Sequence, residues 1–92
     1  MVKSFRHKGI EKFFHTKSKS GIQPHHAKRL TLQLGVLNAM LTIDEMNLPG
    51  WHLHPLHGEL ENHWAVSVSG NWRLTFKFEE RNVYLLDYQD YH

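Results

Sequence analysis

Ninety-two residues are enough for one small domain spanning 1–92 with a modest core, and too few for two. The absence of cysteine excludes disulfides and thiolate metal sites, and no stretch approaches the roughly 20 apolar residues that span a bilayer. Net charge is only +2, yet residues 1–30 hold eight of the eleven basic side chains and one of the nine acids.

The first residues, Met1-Val2-Lys3-Ser4-Phe5-Arg6, lack the apolar core of a signal peptide. A cytoplasmic protein without membrane contact is therefore expected. The basic N-terminal third suits a surface that meets phosphate, with Lys3, Arg6, Lys8, Lys12, Lys28 and Arg29 as candidate contacts to nucleic acid. The plainer reading of the same residues is a solvated helix face. Nine histidines add charge on mild acidification, since imidazole ordinarily titrates near about pH 6.5.

Along the chain, Val2 to Arg6 reads either as a short strand or as the run into a helix. Residues 7–17 read as a helix with Ile10, Phe13 and Phe14 forming a narrow apolar stripe. After a polar loop, Pro24 stands at a favoured first-turn position. Ala27, Leu30, Leu34, Leu37 and Leu41 then keep helical spacing over four turns, so this stripe is expected to dock on a sheet. Gly35 inside it costs about 1 kcal/mol relative to alanine, which suggests close packing. A short helical turn is expected over 42–47, broken by Leu48-Pro49-Gly50.

The remainder reads as β structure. Residues 51–56 are extended, and Pro55 suits an edge strand or an irregular segment better than a central strand. His57-Gly58-Glu59 turns the chain. Trp64, Val66 and Val68 alternate with smaller residues, and Ser69-Gly70-Asn71 makes a hairpin turn. Next, Trp72, Leu74, Phe76 and Phe78 alternate with Arg73, Thr75 and Lys77; a second turn over 79–82 leads to a last strand, 83–90. Helices first and a meander after predict an α+β domain, with N-terminal helices on one face of a small, mainly antiparallel sheet.

Period-two geometry sends Trp72, Leu74, Phe76 and Phe78 to the core and Arg73, Thr75 and Lys77 to an open face, with Ser67 beside them. No acid lies within four residues of Arg73, so its guanidinium is available to grip a phosphate. The last strand does not phase: either Asp87 and Gln89 or Asp90 and His92 follow the buried residues. The chain is expected to leave regular β geometry near Gln89 or Asp90, bringing Asp90-Tyr91-His92 to a cleft at the sheet end. His52, His54 and His57 cluster as imidazole ligands do in zinc sites, but without matching acids, and no metal is expected.

The ordered set His54-Pro55-Leu56-x-Gly58, Trp64, Asn71-Trp72-Arg73-Leu74-x-Phe76 and a final Asp90-Tyr91-His92 resembles the HigB branch of the RelE/ParE toxin superfamily. The likeness runs from the basic N-terminal segment to His92. It implies a RelE-like fold and a toxin of a type II toxin–antitoxin pair, acting as a ribosome-dependent endoribonuclease on messenger RNA in the A site. The implied partners are the 70S ribosome with its 16S RNA, messenger RNA, and a HigA-like helix-turn-helix antitoxin through which alone operator DNA is met. No cofactor is implied.

Carried onto this chain, the family's functional positions are His54, Arg73, Asp90, Tyr91 and His92. His57 stands where many relatives have lysine, so a fixed charge becomes a titratable one; Lys77 is a further candidate RNA contact. Cleavage by the ribose 2′-OH needs a base, an acid and a cation for the charged phosphorane. His92 or His54 suits either proton role, with Asp90 orienting an imidazole or itself acting as base. Arg73 suits the transition state, and Tyr91 suits stacking on a nucleotide. Competing readings are a ParE-like gyrase poison, a non-catalytic RNA-binding module using the basic segment alone, and a zinc protein.

Overall fold

A computed structural model describes residues 1–58 and 62–91. Helix α1 (Lys8–Thr16) is capped at its start by His7, whose Nδ1 accepts the Ile10 N–H at 3.1 Å. Lys17 ends it in the left-handed conformation (φ 66°), donating its N–H to the Phe13 carbonyl. Ile10 and Phe13 are buried as the stripe requires, and Phe14 packs at the margin.

Pro24 opens a 3-10 turn, Pro24–His26, that runs directly into α2 (Ala27–Ala39). Leu30, Leu34 and Leu37 enter the core as expected. Leu41 does not. Met40 already has extended backbone (φ −65°, ψ 147°), so helical phase is lost before Leu41, which is 61% exposed while Met40 is buried instead. A Cβ added at Gly35 would meet nothing within 4 Å, so close packing does not explain that glycine. The turn expected over 42–47 is a 3-10 turn, Ile43–Met46, with a capping box. There the Glu45 carboxylate accepts the N–H groups of Thr42 and Leu41, which hold its carboxyl below the usual range.

The sheet is the meander β1 (His54–Pro55), β2 (His63–Ser69), β3 (Trp72–Glu79) and β4 (Asn82–Asp90), all antiparallel in that order. β1 is the expected proline-bearing edge but only two residues long; Trp51 belongs to the preceding turn and is buried. The turn expected at 57–59 leaves the described residues at Glu59. The ambiguous start of the chain is extended: Val2 and Phe5 bridge Val83 and Leu86 in parallel along the outer edge of β4. That pairing makes the sheet mainly rather than wholly antiparallel.

Both helices cover the face bearing Val66, Leu74, Phe76, Val83, Leu86 and Tyr88. Burying a leucine or phenylalanine contributes about 1.5–3 kcal/mol, and this layer supplies most of the apolar core. Buried Gln33 of α2 donates Nε2–H to the Ser67 carbonyl at 2.8 Å, tying the helix to β2. The tie falls beside a bulge, where the register shifts between Ser67 and Ser69 just before the Gly70–Asn71 turn. The β3–β4 turn is made by Glu80 and Arg81, both at positive φ (51° and 69°), as a two-residue hairpin turn demands.

Candidate active site

The face away from the helices carries three cross-strand rows. Ser67, Arg73 and Gln89 form one; His54, Ala65, Thr75 and Asp87 form the next; His63, Lys77 and Tyr84 form the third. Arg73, Thr75, Lys77 and Ser67 therefore share a face, as alternation predicts. That face is less open than expected at Thr75, which is 6% exposed. Its short side chain, like that of Ala65, lies between the longer residues of the flanking rows.

Asp87 and Gln89 reach this face because β4 changes phase. Register shifts between Thr75 and Lys77, and Leu85 sits at φ 56° opposite that gap. Val83 points to the core before the bulge; Leu86 and Tyr88 do so after it. Neither simple phasing of the last strand holds: the phase breaks at Leu85, while β4 itself ends at Asp90, where the chain is expected to leave regular β geometry. Pairing continues regularly to Trp72↔Asp90, and the Tyr91 N–H then donates to the Asn71 carbonyl at 2.7 Å.

Arg73 is half-buried, with its guanidinium carbon 4.2 Å from the centre of the exposed Tyr91 ring. Its Nη2 donates a long hydrogen bond, 3.5 Å, to Gln89 Oε1. Gln89 is oriented in turn: its Nε2 donates to Asp87 Oδ2 at 2.9 Å, while Asp87 Oδ1 accepts the Tyr88 N–H at 2.9 Å. Arg73 Nε is buried without a hydrogen-bond partner among the described residues. Among the described residues, no hydrogen bond besides the long one to Gln89 holds the donor fork back from an anion.

His54 lies on the same face, two strands across and two residues along from Arg73, about 12 Å between backbones at ordinary sheet spacing. Its Nδ1 is 2.8 Å from the His52 carbonyl. A carbonyl only accepts, so Nδ1 carries the proton and Nε2 is left to accept one. His52 holds this geometry at φ 50°. Among the described residues no three of His, Asp or Glu converge as a metal-ligand set.

Asp90 is exposed and pairs with Trp72, one residue out of phase with Arg73 and Gln89. Register therefore puts it at the margin of the helix-covered face, and His92 lies outside the described residues. The basic candidates are dispersed: Lys8 and Lys12 on α1 and Lys28 and Arg29 on α2 belong to the layer behind the sheet, whereas the backbones of Lys3 and Arg6 run along the outer edge of β4. His57 is exposed beyond β1. Lys77 shares the Arg73 face, with its ammonium 3.2 Å from the Glu79 carboxylate. Asp87 and Gln89 were not singled out from sequence; only the bulge, which the residues do not announce, turns them toward Arg73.

Directly behind Arg73, on the helix side, Trp72 stacks on Tyr88 (4.5 Å between ring centres), and the Tyr88 hydroxyl lies 2.6 Å from Nδ1 of buried His26. The Gln23 N–H donates to that hydroxyl at 3.3 Å. Burial, then the neighbouring His25, lowers the His26 pKa; burial also raises that of Tyr88, against the opposing bond from Gln23.

Two N-terminal helices over one face of a four-stranded antiparallel meander form a fold that is also found in solved toxin structures. YafQ from E. coli strain BL21(DE3) shares this fold, with a TM-score of 0.59 at 14% identity over 98% of this chain and 91% of that one. A histidine-to-glutamine variant of YafQ gives 0.55 at 16% over the same shares. A family model described as the RelE-like toxin of type II toxin–antitoxin system HigB matches residues 3–92. The endoribonuclease HigB of Proteus vulgaris is 38% identical over 92 residues, covering 100% of both chains.

The chain belongs to the HigB-like family of type II toxins. It is a full-length homologue of an endoribonuclease, and membership implies a cognate antitoxin. No helix among the described residues is long and apolar enough to cross a membrane.

Proposed function

We propose that this protein is a ribosome-dependent endoribonuclease that cuts messenger RNA in the A site, halting translation in the cytoplasm. A helix-turn-helix antitoxin holds it inactive and alone contacts operator DNA. The observation that carries the reading is Arg73, stacked under Tyr91 and tied by a single long hydrogen bond among the described residues, on the sheet face that also bears His54.

In the proposed reaction the ribose 2′-oxygen attacks the adjacent phosphorus and the bond to the 5′-oxygen breaks. The products are a 2′,3′-cyclic phosphate and a 5′-hydroxyl. His54 Nε2 takes the 2′-OH proton, the role its tautomer favours. The leaving oxygen receives a proton from the chain end, where His92 is the candidate donor and Asp90 orients an imidazole. Arg73 binds the phosphorane oxygens, in the manner of a preorganised donor worth about 10²–10³ in rate. Tyr91 covers the arginine and stacks on a base. Lys3, Arg6, Lys8, Lys12, Lys28, Arg29 and His57 are proposed as contacts to 16S RNA, and no metal or cofactor takes part.

The test is product chemistry together with a gyrase control. Purified protein added to translating ribosomes should yield message fragments ending in 2′,3′-cyclic phosphate and leave DNA supercoiling by gyrase unchanged. Inhibited supercoiling with intact message would instead support the ParE-like reading.

A further inference from the structure

The bulge in β4 builds something besides the alternation that carries Gln89 to Arg73. At the other end of the same face, Ser4, Lys77, Glu79, Tyr84 and Leu85 line a pocket of about 320 Å³. Two hydrogen bonds to Ser4 anchor it. The Leu85 N–H donates to Ser4 Oγ at 2.9 Å, and the Leu86 N–H to the Ser4 carbonyl at 3.1 Å, so the chain start fixes the bulge. Leu85 holds φ 56°, a conformation a branched side chain adopts at a cost, and such strain tends to be kept where structure serves a site.

The lining chemistry narrows the occupant. Tyr84 and Leu85 supply an aromatic ring and an apolar surface. At the rim, Lys77 and Glu79 form an ion pair at 3.2 Å, leaving no net charge to draw a phosphate. What remains is a stacking surface beside one strong donor and one strong acceptor, the complement of a nucleobase with its polar edge. Lys77 is four residues from Arg73 along β3, roughly 13 Å at strand spacing.

We propose that this pocket is a second nucleobase subsite, taking a base of the substrate strand that flanks the nucleotide at Arg73. Tyr84 stacks on the base, and the Lys77–Glu79 pair reads its edge. The proposal rests on the ribonuclease reading for the identity of the strand but not for its test.

The test is equilibrium binding of short single-stranded RNA made uncleavable by 2′-deoxy substitution, with NMR reporting which residues respond. A longer strand should perturb both Tyr84 and Tyr91, and Tyr84→Ala should weaken it about tenfold, within the range of one base–aromatic stack. A dinucleotide that fills only the Arg73 end should bind Tyr84→Ala and wild type alike. Tyr84→Phe, which keeps the ring, should retain affinity and so separates stacking from misfolding. Lys77→Met combined with Glu79→Gln should level the affinities of strands that differ only in the flanking base. Unaltered binding of the longer strand by Tyr84→Ala, responses confined to Tyr91, or no binding by wild type overturns the subsite. A Tyr84→Ala defect seen with ribosomes but not with the free strand would place the contact on ribosomal RNA and also overturn it. Binding as predicted, with message left intact by the wild-type protein on translating ribosomes, would instead count against the ribonuclease reading alone.

Discussion

Arg73 is held by a ring above, a glutamine beside it and a buried Nε with nothing to bond among the described residues. An unsatisfied buried donor costs about 1–3 kcal/mol, so the side chain is poorly placed for stability. Arg73→Met should therefore leave urea-unfolding stability within about 1 kcal/mol of wild type or raise it. Single-turnover cleavage of message should fall about 10²–10³-fold. A large loss of stability with cleavage retained would make the residue structural.

His26 lies behind it in the helix layer, with Tyr88 on its Nδ1, His25 alongside and His7 edge-on to Tyr88. Its pKa is lowered on folding, so the unfolded chain binds the proton more readily. The contribution of neutral His26 is complete above its ordinary value of about 6.5 and declines as pH falls below it. Urea midpoints for wild type and His26→Gln should converge between pH 7.5 and pH 5.5, whereas parallel pH curves would remove His26 from the acid response.

At the scale of elements, α1 depends on a contact between two glycines. A Cβ on Gly9 would overlap the Gly21 carbonyl, and one on Gly21 would overlap the Gly9 backbone. Neither side can yield as a flexible side chain would. Gly9→Ala should cost about 1–3 kcal/mol, the range for overpacking, measured as a lower urea midpoint; an unchanged midpoint would mean that α1 shifts freely on the loop.

The apolar periods made both helices, the meander and the Arg73–Lys77 face legible, because side-chain alternation depends only on residue order. Register across strands does not. Counting outward from the Glu80–Arg81 turn at the spacing of Glu79↔Asn82 and Lys77↔Tyr84 would pair Arg73 with Tyr88. One extra residue at Leu85 moves the partner to Gln89 and reverses which face Asp87 and Gln89 occupy. Leucine is a poor advertisement for positive φ, so nothing local marked the bulge. Leu41 failed for a related reason: its spacing continued the helical pattern after Met40 had left the helix. The family motif brought His54, Arg73 and Tyr91 into view by their order along the chain. It gave no sign that Asp90 pairs opposite Trp72, out of phase with Arg73.

Taken whole, the molecule is divided by its sheet. The helices, with Lys8, Lys12, Lys28 and Arg29, lie behind it; Arg73, Tyr91, Gln89 and His54 lie in front. Under the proposed function this division lets the basic layer hold ribosomal RNA while the front face meets the message, which explains how a domain of this size could require the ribosome. Primer extension on a message mixed with purified protein, with and without translating ribosomes, tests that claim most directly. Breaks confined to the codon in the A site, present only with ribosomes and lost in Arg73→Ala, are the predicted result. Ribosome-independent cleavage of bare RNA, or A-site breaks that persist in Arg73→Ala, would contradict it.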